Sequence, residues 1–231
     1  MTRLILFDID GTLVRTADAG RRALSRAFEE LFAVANALDG VPIAGRTDYW
    51  IVAKVAATHS LPCDVHTVER LRAAYLRYLP GEIDEPSPHK AVMPGVRSLL
   101  DTLAKRDDAY LALLTGNFEE GARVKLEYFD LWRYFRCGAF GDTVPERNGL
   151  LSRALARVRA CGGPAVDPGD VVIVGDTPLD VAVAVAGGTR SVAVATGGYD
   201  MKTLRASGAD VVLNDLSDGA AVLDAMGFES T

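Results

Sequence analysis

The chain has 231 residues, of which 49% are hydrophobic and 24% charged, as expected of a globular protein with a sizeable core in one or two domains. Asp and Glu number 31 against 25 Lys and Arg, without a basic block, so we expect no nucleic-acid partner. No apolar run is long enough for a membrane span and no signal peptide precedes the first strand, which indicates a cytoplasmic protein without a membrane partner. Cys63, Cys137 and Cys161 lie far apart in the sequence and are expected to be reduced thiols.

Short aliphatic or β-branched runs recur along the chain and predict buried strands. They occupy residues 4–7, 110–114, 137–140, 171–174, 191–195 and 211–213. Helical patterns lie between most of them, so strand and helix alternate. This alternation predicts an α/β fold with a doubly wound, mainly parallel sheet and helices on both faces.

One segment, from about Arg15 to Asp84, has helical spacing but no convincing strand. Its predicted helical faces are Leu24, Phe28 and Leu31; Val52, Val55 and Ala56; and Val68, Leu71 and Tyr75. We therefore assign residues 15–85 to a small all-helical domain inserted after the first strand, and residues 1–14 and 86–231 to the sheet domain. Pro80-Gly81 and Pro86-Ser87-Pro88 are expected to form the hinge that leads back to the sheet.

Two carboxylates follow the first predicted strand, in the sequence Asp8-Ile9-Asp10-Gly11-Thr12. Open α/β sheets bind ligands at the carboxyl ends of their strands. Two like charges this close are costly unless they share a cation, which indicates a hard divalent metal. By itself, such a pair is equally consistent with ordinary turn chemistry.

Two further carboxylates follow the predicted strand at residues 171–174. Asp176 comes at the end of this strand, and Asp180 is expected about one turn into the next helix, where it would accept a hydrogen bond or complete a metal shell. A capping role for Asp176, with Pro178 in the first helical turn, is compatible with this function.

A small polar segment, Thr115-Gly116-Asn117, follows the predicted strand at residues 110–114. It offers a hydroxyl and backbone N–H groups to an anion at a strand-to-helix junction. Alone, this segment is a good helix cap and little more.

In order and spacing, the Asp-x-Asp-Gly-Thr segment, Thr115 and the Gly-Asp-x-x-x-Asp segment at 175–180 resemble the motifs of the haloacid dehalogenase-like hydrolase superfamily. The resemblance covers nearly the whole chain. The helical insert is similar to the all-helical cap that this superfamily often carries after its first motif, as in phosphatases of the phosphoglycolate phosphatase type. The resemblance implies a Rossmann-like core beneath a small cap.

The resemblance also implies roles for individual residues. Asp8 matches the nucleophile that forms an aspartyl-phosphate, and Asp10 matches the general acid and base. Mg²⁺ would be held by Asp8, the backbone carbonyl of Asp10 and Asp176, with Asp180 in support. Thr115 matches the phosphate-binding hydroxyl, assisted by its neighbours Gly116 and Asn117.

The third motif departs from the family pattern, which commonly has a lysine. Arg147 stands at the expected place, and its guanidinium can neutralise both phosphate and nucleophile. Lys125 is a rival for this role, although we expect it to lie on a solvated helix face.

Two loops are expected to border the site. Arg46, in the segment Gly45-Arg46-Thr47, resembles a cap-loop residue that binds a second anionic group of the substrate, and it is equally compatible with decorating a helix end. The turn containing Gly197 and Gly198 is expected to shape the rim of the site.

These observations favour a Mg²⁺-dependent phosphomonoester hydrolase that acts on a small soluble phosphorylated metabolite. A phosphomutase or a dehalogenase of the same superfamily is an alternative within the fold. Alternatives from other classes are a signalling receiver domain that is phosphorylated on Asp without multiple turnover, and an interaction protein built on an inactive hydrolase core. The sequence predicts neither the substrate nor the oligomeric state.

Overall fold

Residues 2–228 are described by a computed structural model. In chain order the elements are β1 (Arg3–Phe7), β2 (Val14–Thr16), α1 (Ala19–Phe32), α2 (Asp48–Thr58), α3 (Val65–Asp84), β3 (Lys90–Val92), α4 (Val96–Leu103), β4 (Ala109–Leu114), α5 (Glu119–Tyr128), β5 (Gly138–Ala139), α6 (Leu150–Ala160), β6 (Val171–Gly175), α7 (Pro178–Gly187), β7 (Arg190–Val194), α8 (Met201–Ala206), β8 (Val211–Leu213) and α9 (Gly219–Ala225). Among these residues, no helix combines the length and apolar composition needed to cross a bilayer.

Six strands form one parallel sheet in the order β5-β4-β1-β6-β7-β8. All six coincide with the runs that predicted strands, so the predicted doubly wound sheet is confirmed. Alternate side chains of β1 enter different cores: Ile5 and Phe7 pack with α4 and α5, whereas Leu4 and Leu6 pack with α6 and α7. Helices therefore cover both faces, as the continuous apolar character of the strands requires.

The three helices α1, α2 and α3 lie between β2 and β3 and share a hydrophobic core of their own. Eight of the nine residues on the predicted helical faces are buried, and Leu31 is partly buried. Thr47 begins α2 by accepting a hydrogen bond from the backbone N–H of Trp50 at 3.0 Å. The helical nature of the insert is thus as predicted.

The prediction of a hinge at Pro80-Gly81 is wrong, because both residues lie inside α3. Proline removes one helical hydrogen bond, but the last turns of α3 are fixed by tertiary packing. Leu79 and Ile83 are fully buried, and Glu82 forms ion pairs with α1. This packing outweighs the local preference of proline.

The strands β2 and β3 were not predicted. They pair antiparallel, with Val14 opposite Val92 and Thr16 opposite Lys90, so the chain leaving the sheet domain and the chain returning to it lie side by side. Each strand has only three residues, and their pairing joins segments more than 70 positions apart, which leaves no local sequence signal. The pair fixes where the insert emerges above the sheet edge.

Candidate active site

Three predicted site residues meet at the carboxyl edge of the sheet. Asp8 follows β1, Thr115 follows β4 and Asp176 follows β6. Because β4 and β6 pair in parallel with the two sides of β1, these strand ends are neighbours. All three side chains are buried. The sheet therefore concentrates polar groups at the position where open α/β folds bind ligands.

A cluster of three buried carboxylates lies at this edge. One oxygen from each of Asp8, Asp176 and Asp180 lies within 4.8 Å of the others. Burial raises the pKa of Asp8 to about 6, although the charge of Arg147 acts in the opposite direction. Burial and the neighbouring charges of Asp8 and Asp180 raise the pKa of Asp176 well above its ordinary value. Hard divalent cations bind such oxygen donors and relieve their repulsion, so this donor set fits Mg²⁺.

Two glycines leave room for the carboxylate of Asp176. A Cβ atom at Gly11 would lie 2.4 Å from Oδ2 of Asp176, and one at Gly197 would lie 1.6 Å from the same oxygen. Gly11 also has φ +83°, a left-handed conformation that favours glycine. The glycine turn at 197–198 borders the site, in agreement with its predicted place at the rim.

Arg147 connects the carboxylate cluster to the insert. Its Nη2 atom lies 2.7 Å from Oδ1 of Asp8 and also contacts Asp180, while Nη1 donates a hydrogen bond to the carbonyl oxygen of Gly45 at 3.1 Å. Burial opposes its charge, but Asp180 and Asp8 outweigh burial and raise the pKa of Arg147 above its ordinary value. The planar guanidinium holds its N–H donors at fixed mutual angles, whereas the three donors of a lysine ammonium rotate together.

Asp180 lies in the first turn of α7 and is almost fully buried. It forms a reciprocal capping box with Thr177, whose backbone N–H donates to Oδ2 of Asp180 at 3.0 Å. The other oxygen, Oδ1, accepts from Arg147. Asp180 therefore both begins the helix and holds Arg147, in keeping with the hydrogen-bond acceptor expected from the sequence.

A second polar cluster surrounds Asp10. Its Oδ2 atom accepts from Nζ of Lys125 at 2.6 Å and from Nδ2 of Asn117 at 2.9 Å, and Lys125 also donates to Oδ1 of Asn117 at 2.6 Å. The prediction that Lys125 lies on a solvated helix face is wrong, since this residue is only 5% exposed. The helix pattern could not reveal that Asp10, 115 positions away, partners its amine.

The oxygen of the Thr115 hydroxyl accepts a hydrogen bond from Nδ2 of Asn117 at 2.8 Å. Because the oxygen acts as an acceptor here, the hydroxyl hydrogen can be donated to an anion. Asn117 thus orients both Thr115 and Asp10. The sequence had indicated only that Asn117 takes part in anion binding.

The loop before α2 is docked on the sheet domain. The backbone N–H of Asp48 donates to the carbonyl of Gly116 at 2.7 Å, and Oδ2 of Asp48 accepts from the N–H of Phe118 at 2.8 Å. Thr47 donates its hydroxyl to the carbonyl of Val144 at 2.7 Å. A Cβ at Gly116 would lie 2.1 Å from a backbone carbonyl of this loop, so Gly116 makes the close approach possible.

Asp48 is a site residue that the sequence did not single out. It borders the cavity, and burial raises its pKa to about 6 against the opposing charge of Lys125. The only signal was its place after Thr47, which indicates a helix start but no contact with another domain.

A cavity of about 650 Å³ lies between the insert and the sheet edge, bordered by Asp8, Asp10 and Arg46. The guanidinium carbon of Arg46 lies 4.5 Å from the ring centroid of Trp50, and its side chain is 33% exposed. Its ion-pair contact is with Glu146 at 4.0 Å. Arg46 therefore borders the cavity, and its guanidinium packs on Trp50 beside Glu146.

Comparison with known proteins gives consistent results. The model of the haloacid dehalogenase-like hydrolase family matches residues 5–194. The chain is 30% identical over 234 residues to a phosphoglycolate phosphatase of Rhodospirillum rubrum, covering 99% of this chain and 92% of the relative. It is 29% identical over 226 residues to phosphoglycolate phosphatase 1 of Pseudomonas aeruginosa, covering 94% and 78%.

The fold is shared with solved structures of lower identity. A β-phosphoglucomutase from Clostridium difficile superposes with a TM-score of 0.71 at 15% identity, covering 98% of both chains. The segment that the family model matches contains the carboxylates and Arg147 described above, together with most of β1 and all of β4, β5, β6 and β7. The chain belongs to the haloacid dehalogenase-like hydrolase family, in the branch whose named members are phosphatases.

Proposed function

We propose that the protein hydrolyses the phosphomonoester of a small metabolite through an aspartyl-phosphate formed on Asp8, with Mg²⁺ bound at the carboxylate cluster. The observation that carries this proposal is the position of Asp8, buried at a central strand end between Arg147 and Asp176. Arg147 offers positive charge to a phosphoryl group at the nucleophile itself, and the neighbouring carboxylates can bind a cation. The two curated relatives support a small phosphorylated substrate of the phosphoglycolate kind.

In the first step, a carboxylate oxygen of Asp8 attacks phosphorus, and the bond between phosphorus and the alcohol oxygen breaks. Asp10 donates a proton to that departing oxygen. In the second step, Asp10 takes a proton from water while the water oxygen attacks phosphorus, and the Asp8–phosphorus bond breaks. The products are the alcohol and inorganic phosphate; Asp8 is again a carboxylate and Asp10 is again protonated.

The remaining site residues bind and orient the phosphoryl group. Thr115 donates its hydroxyl hydrogen to a phosphoryl oxygen, because Asn117 already donates to the hydroxyl oxygen. Arg147 neutralises charge beside Asp8. A Mg²⁺ ion, which Asp8, Asp176 and the backbone carbonyl of Asp10 would hold, would supply charge stabilisation to the phosphoryl oxygens.

Residues 15–85 act as a cap that excludes water during the first step. The hydrogen bonds of Thr47 and Asp48 with the sheet domain support this role. They hold the loop that leads into α2, residues 45–48, directly above the carboxyl edge of the sheet, and we call this segment the cap loop. The cavity beneath the loop has room for a small phosphorylated metabolite.

The test is steady-state phosphate release from an aryl phosphate and from 2-phosphoglycolate, with Mg²⁺ and with excess EDTA. We expect many turnovers with Mg²⁺, loss of activity with EDTA, and no turnover by Asp8→Asn, which lacks the nucleophile. Quenched reactions analysed by mass spectrometry should carry phosphate on the peptide containing Asp8. A single turnover at most would favour the receiver alternative, and full activity of Asp8→Asn would overturn the proposal.

A further inference from the structure

We propose that Lys125 is a positioning residue for Asp10, acting together with Asn117, and that its role is separate from that of Arg147 toward Asp8. This inference rests on the proposed phosphatase mechanism, in which Asp10 exchanges protons with the leaving group and with water. Lys125 is a buried cation that takes no part in the proposed phosphoryl-transfer steps.

The contacts of Lys125 and Asn117 converge on a single atom. Nζ of Lys125 and Nδ2 of Asn117 both donate to Oδ2 of Asp10, at 2.6 and 2.9 Å. Lys125 also donates to Oδ1 of Asn117 at 2.6 Å, which closes a ring of three side chains. A carboxylate held by two donors on one oxygen has a fixed plane, and its other oxygen, Oδ1, is left for the reacting groups.

The packing around Lys125 prevents its amine from turning away. A Cβ atom on Gly20 of α1 would lie 3.3 Å from Nζ and 3.5 Å from Cε of Lys125, so the cap helix packs directly against the end of this side chain. The Lys125 side chain is only 6% exposed, whereas that of Asp10 is 43% exposed. The lysine is therefore locked in place, while the carboxyl group that it holds faces the cavity.

Arg147 and Lys125 contact different carboxylates. Arg147 contacts Asp8, which forms the covalent bond, and Lys125 contacts Asp10, which transfers protons. The proton thus leaves Oδ1 of Asp10 for the alcohol oxygen as the bond to phosphorus breaks, and a water proton returns to the same Oδ1 in the second step. Misplacing this oxygen should slow proton transfer far more than phosphoryl binding.

The test compares two substrates that differ in their need for a proton. An alkyl phosphate needs protonation of its leaving oxygen, whereas an aryl phosphate with an acidic phenol hardly does. For Lys125→Met we expect kcat/KM to fall about 100-fold on the alkyl phosphate and less than about 10-fold on the aryl phosphate. The matched control is Arg123→Met, which replaces an exposed cation of the same helix and should alter neither value.

A chemical rescue separates positioning from a general structural role. Lys125→Cys, alkylated with 2-bromoethylamine, regains an amine of nearly the original length and should recover the alkyl substrate selectively. Wild-type protein treated with the same reagent controls for Cys63, Cys137 and Cys161. Lys125→Gln replaces the methionine variant if circular dichroism shows that the latter is unfolded.

Equal losses on both substrates, or failure of the introduced amine to restore activity on the alkyl phosphate, would overturn the role of Lys125. In that case the wild-type protein would still hydrolyse both esters, so the proposed function would stand. If the wild-type protein hydrolysed neither ester, the proposed function itself would fail, and this inference would fail with it.

Discussion

Arg147 joins Asp8 to the cap: one guanidinium nitrogen lies 2.7 Å from the carboxylate of Asp8, and another donates at 3.1 Å to the backbone carbonyl of Gly45. The guanidinium is planar, so its contacts with the core and the cap loop have a fixed mutual geometry. Docking of the cap loop and orientation of Asp8 are therefore linked through one side chain.

This relationship predicts different outcomes for two substitutions of Arg147. Arg147→Ala should lower kcat/KM for an aryl phosphate by about 10²- to 10³-fold, as on loss of one electrostatic donor in a preorganised site. Arg147→Lys should retain partial activity, because charge near Asp8 is kept while the contact with Gly45 is lost.

The matched control is Arg157→Ala, which removes an exposed arginine of the following helix α6 and should leave kcat/KM unchanged. Urea denaturation should accompany the kinetics, because Arg147→Ala also leaves two buried carboxylates without their cation. Equal activity of the alanine variant and the wild-type protein would contradict the assignment of Arg147 to the third motif.

Mg²⁺ should stabilise the folded protein through the carboxylate cluster. At a free Mg²⁺ concentration 100-fold above Kd, the gain in the free energy of unfolding is about 2.7 kcal/mol, which differential scanning fluorimetry detects as a rise in Tm. Asp176→Asn should abolish this rise and increase Tm without metal, since it removes a charge that Asp8 and Asp180 repel. The control is Asp224→Asn, on the exposed face of α9, which should respond to Mg²⁺ like the wild-type protein. If Mg²⁺ raised the Tm of Asp176→Asn as much as that of the wild-type protein, the metal would bind elsewhere.

Glu82 should stabilise the cap in a pH-dependent manner. Its side chain is 9% exposed and accepts from Arg22 at 2.6 Å and Arg26 at 2.9 Å. Burial raises the pKa of Glu82, but the two arginines outweigh burial and leave it below its ordinary value. A lowered pKa contributes stability above the unfolded-state pKa, and this stability is lost as pH falls through the folded-state pKa.

Glu82→Gln should therefore lower the free energy of unfolding by about 1 to 2 kcal/mol at pH 7, a moderate value because both arginines are partly exposed. The difference from the wild-type protein, measured by urea denaturation, should shrink toward pH 4. Glu69→Gln, an exposed carboxylate on the same helix, serves as the control. A difference that is constant from pH 7 to pH 4 would show that the carboxylate charge is not its source.

Sequence patterns predicted the sheet and the site residues at its edge because both depend on local signals. Apolar runs define the strands, and polar residues such as Asp8, Thr115 and Asp176 follow three of them directly. In a parallel sheet those strand ends must lie on one side, so their proximity follows from topology alone.

The features that the sequence did not reveal depend on contacts between distant segments. The β2–β3 pair and the Asp10–Lys125 contact each join residues that no periodicity connects. Lysine is a residue type typical of the protein surface, and only the packing of α1 against α5 shows that Lys125 is buried. Proline at position 80 likewise marks a helix end locally, whereas the burial of Leu79 and Ile83 extends α3 beyond it.

Arg46 provides the last prediction, which concerns selection of the substrate. Arg46 borders the cavity and its guanidinium packs on Trp50, and we expect it to form a bidentate pair with a second anionic group of the substrate, such as a carboxylate. Arg46→Ala should therefore lower kcat/KM for 2-phosphoglycolate or a longer carboxylate-bearing phosphate by about 10-fold or more, as on loss of a charged hydrogen bond.

A small aryl phosphate without a carboxylate should lose much less, because it has no group that reaches Arg46. Arg21→Ala is a useful comparison, since this other cation of the cavity wall is already paired with Asp39 at 3.2 Å and has less charge to offer a ligand. Parallel losses on both substrates would show that Arg46 supports docking of the cap loop, because binding of a distant carboxylate cannot affect a substrate that lacks one.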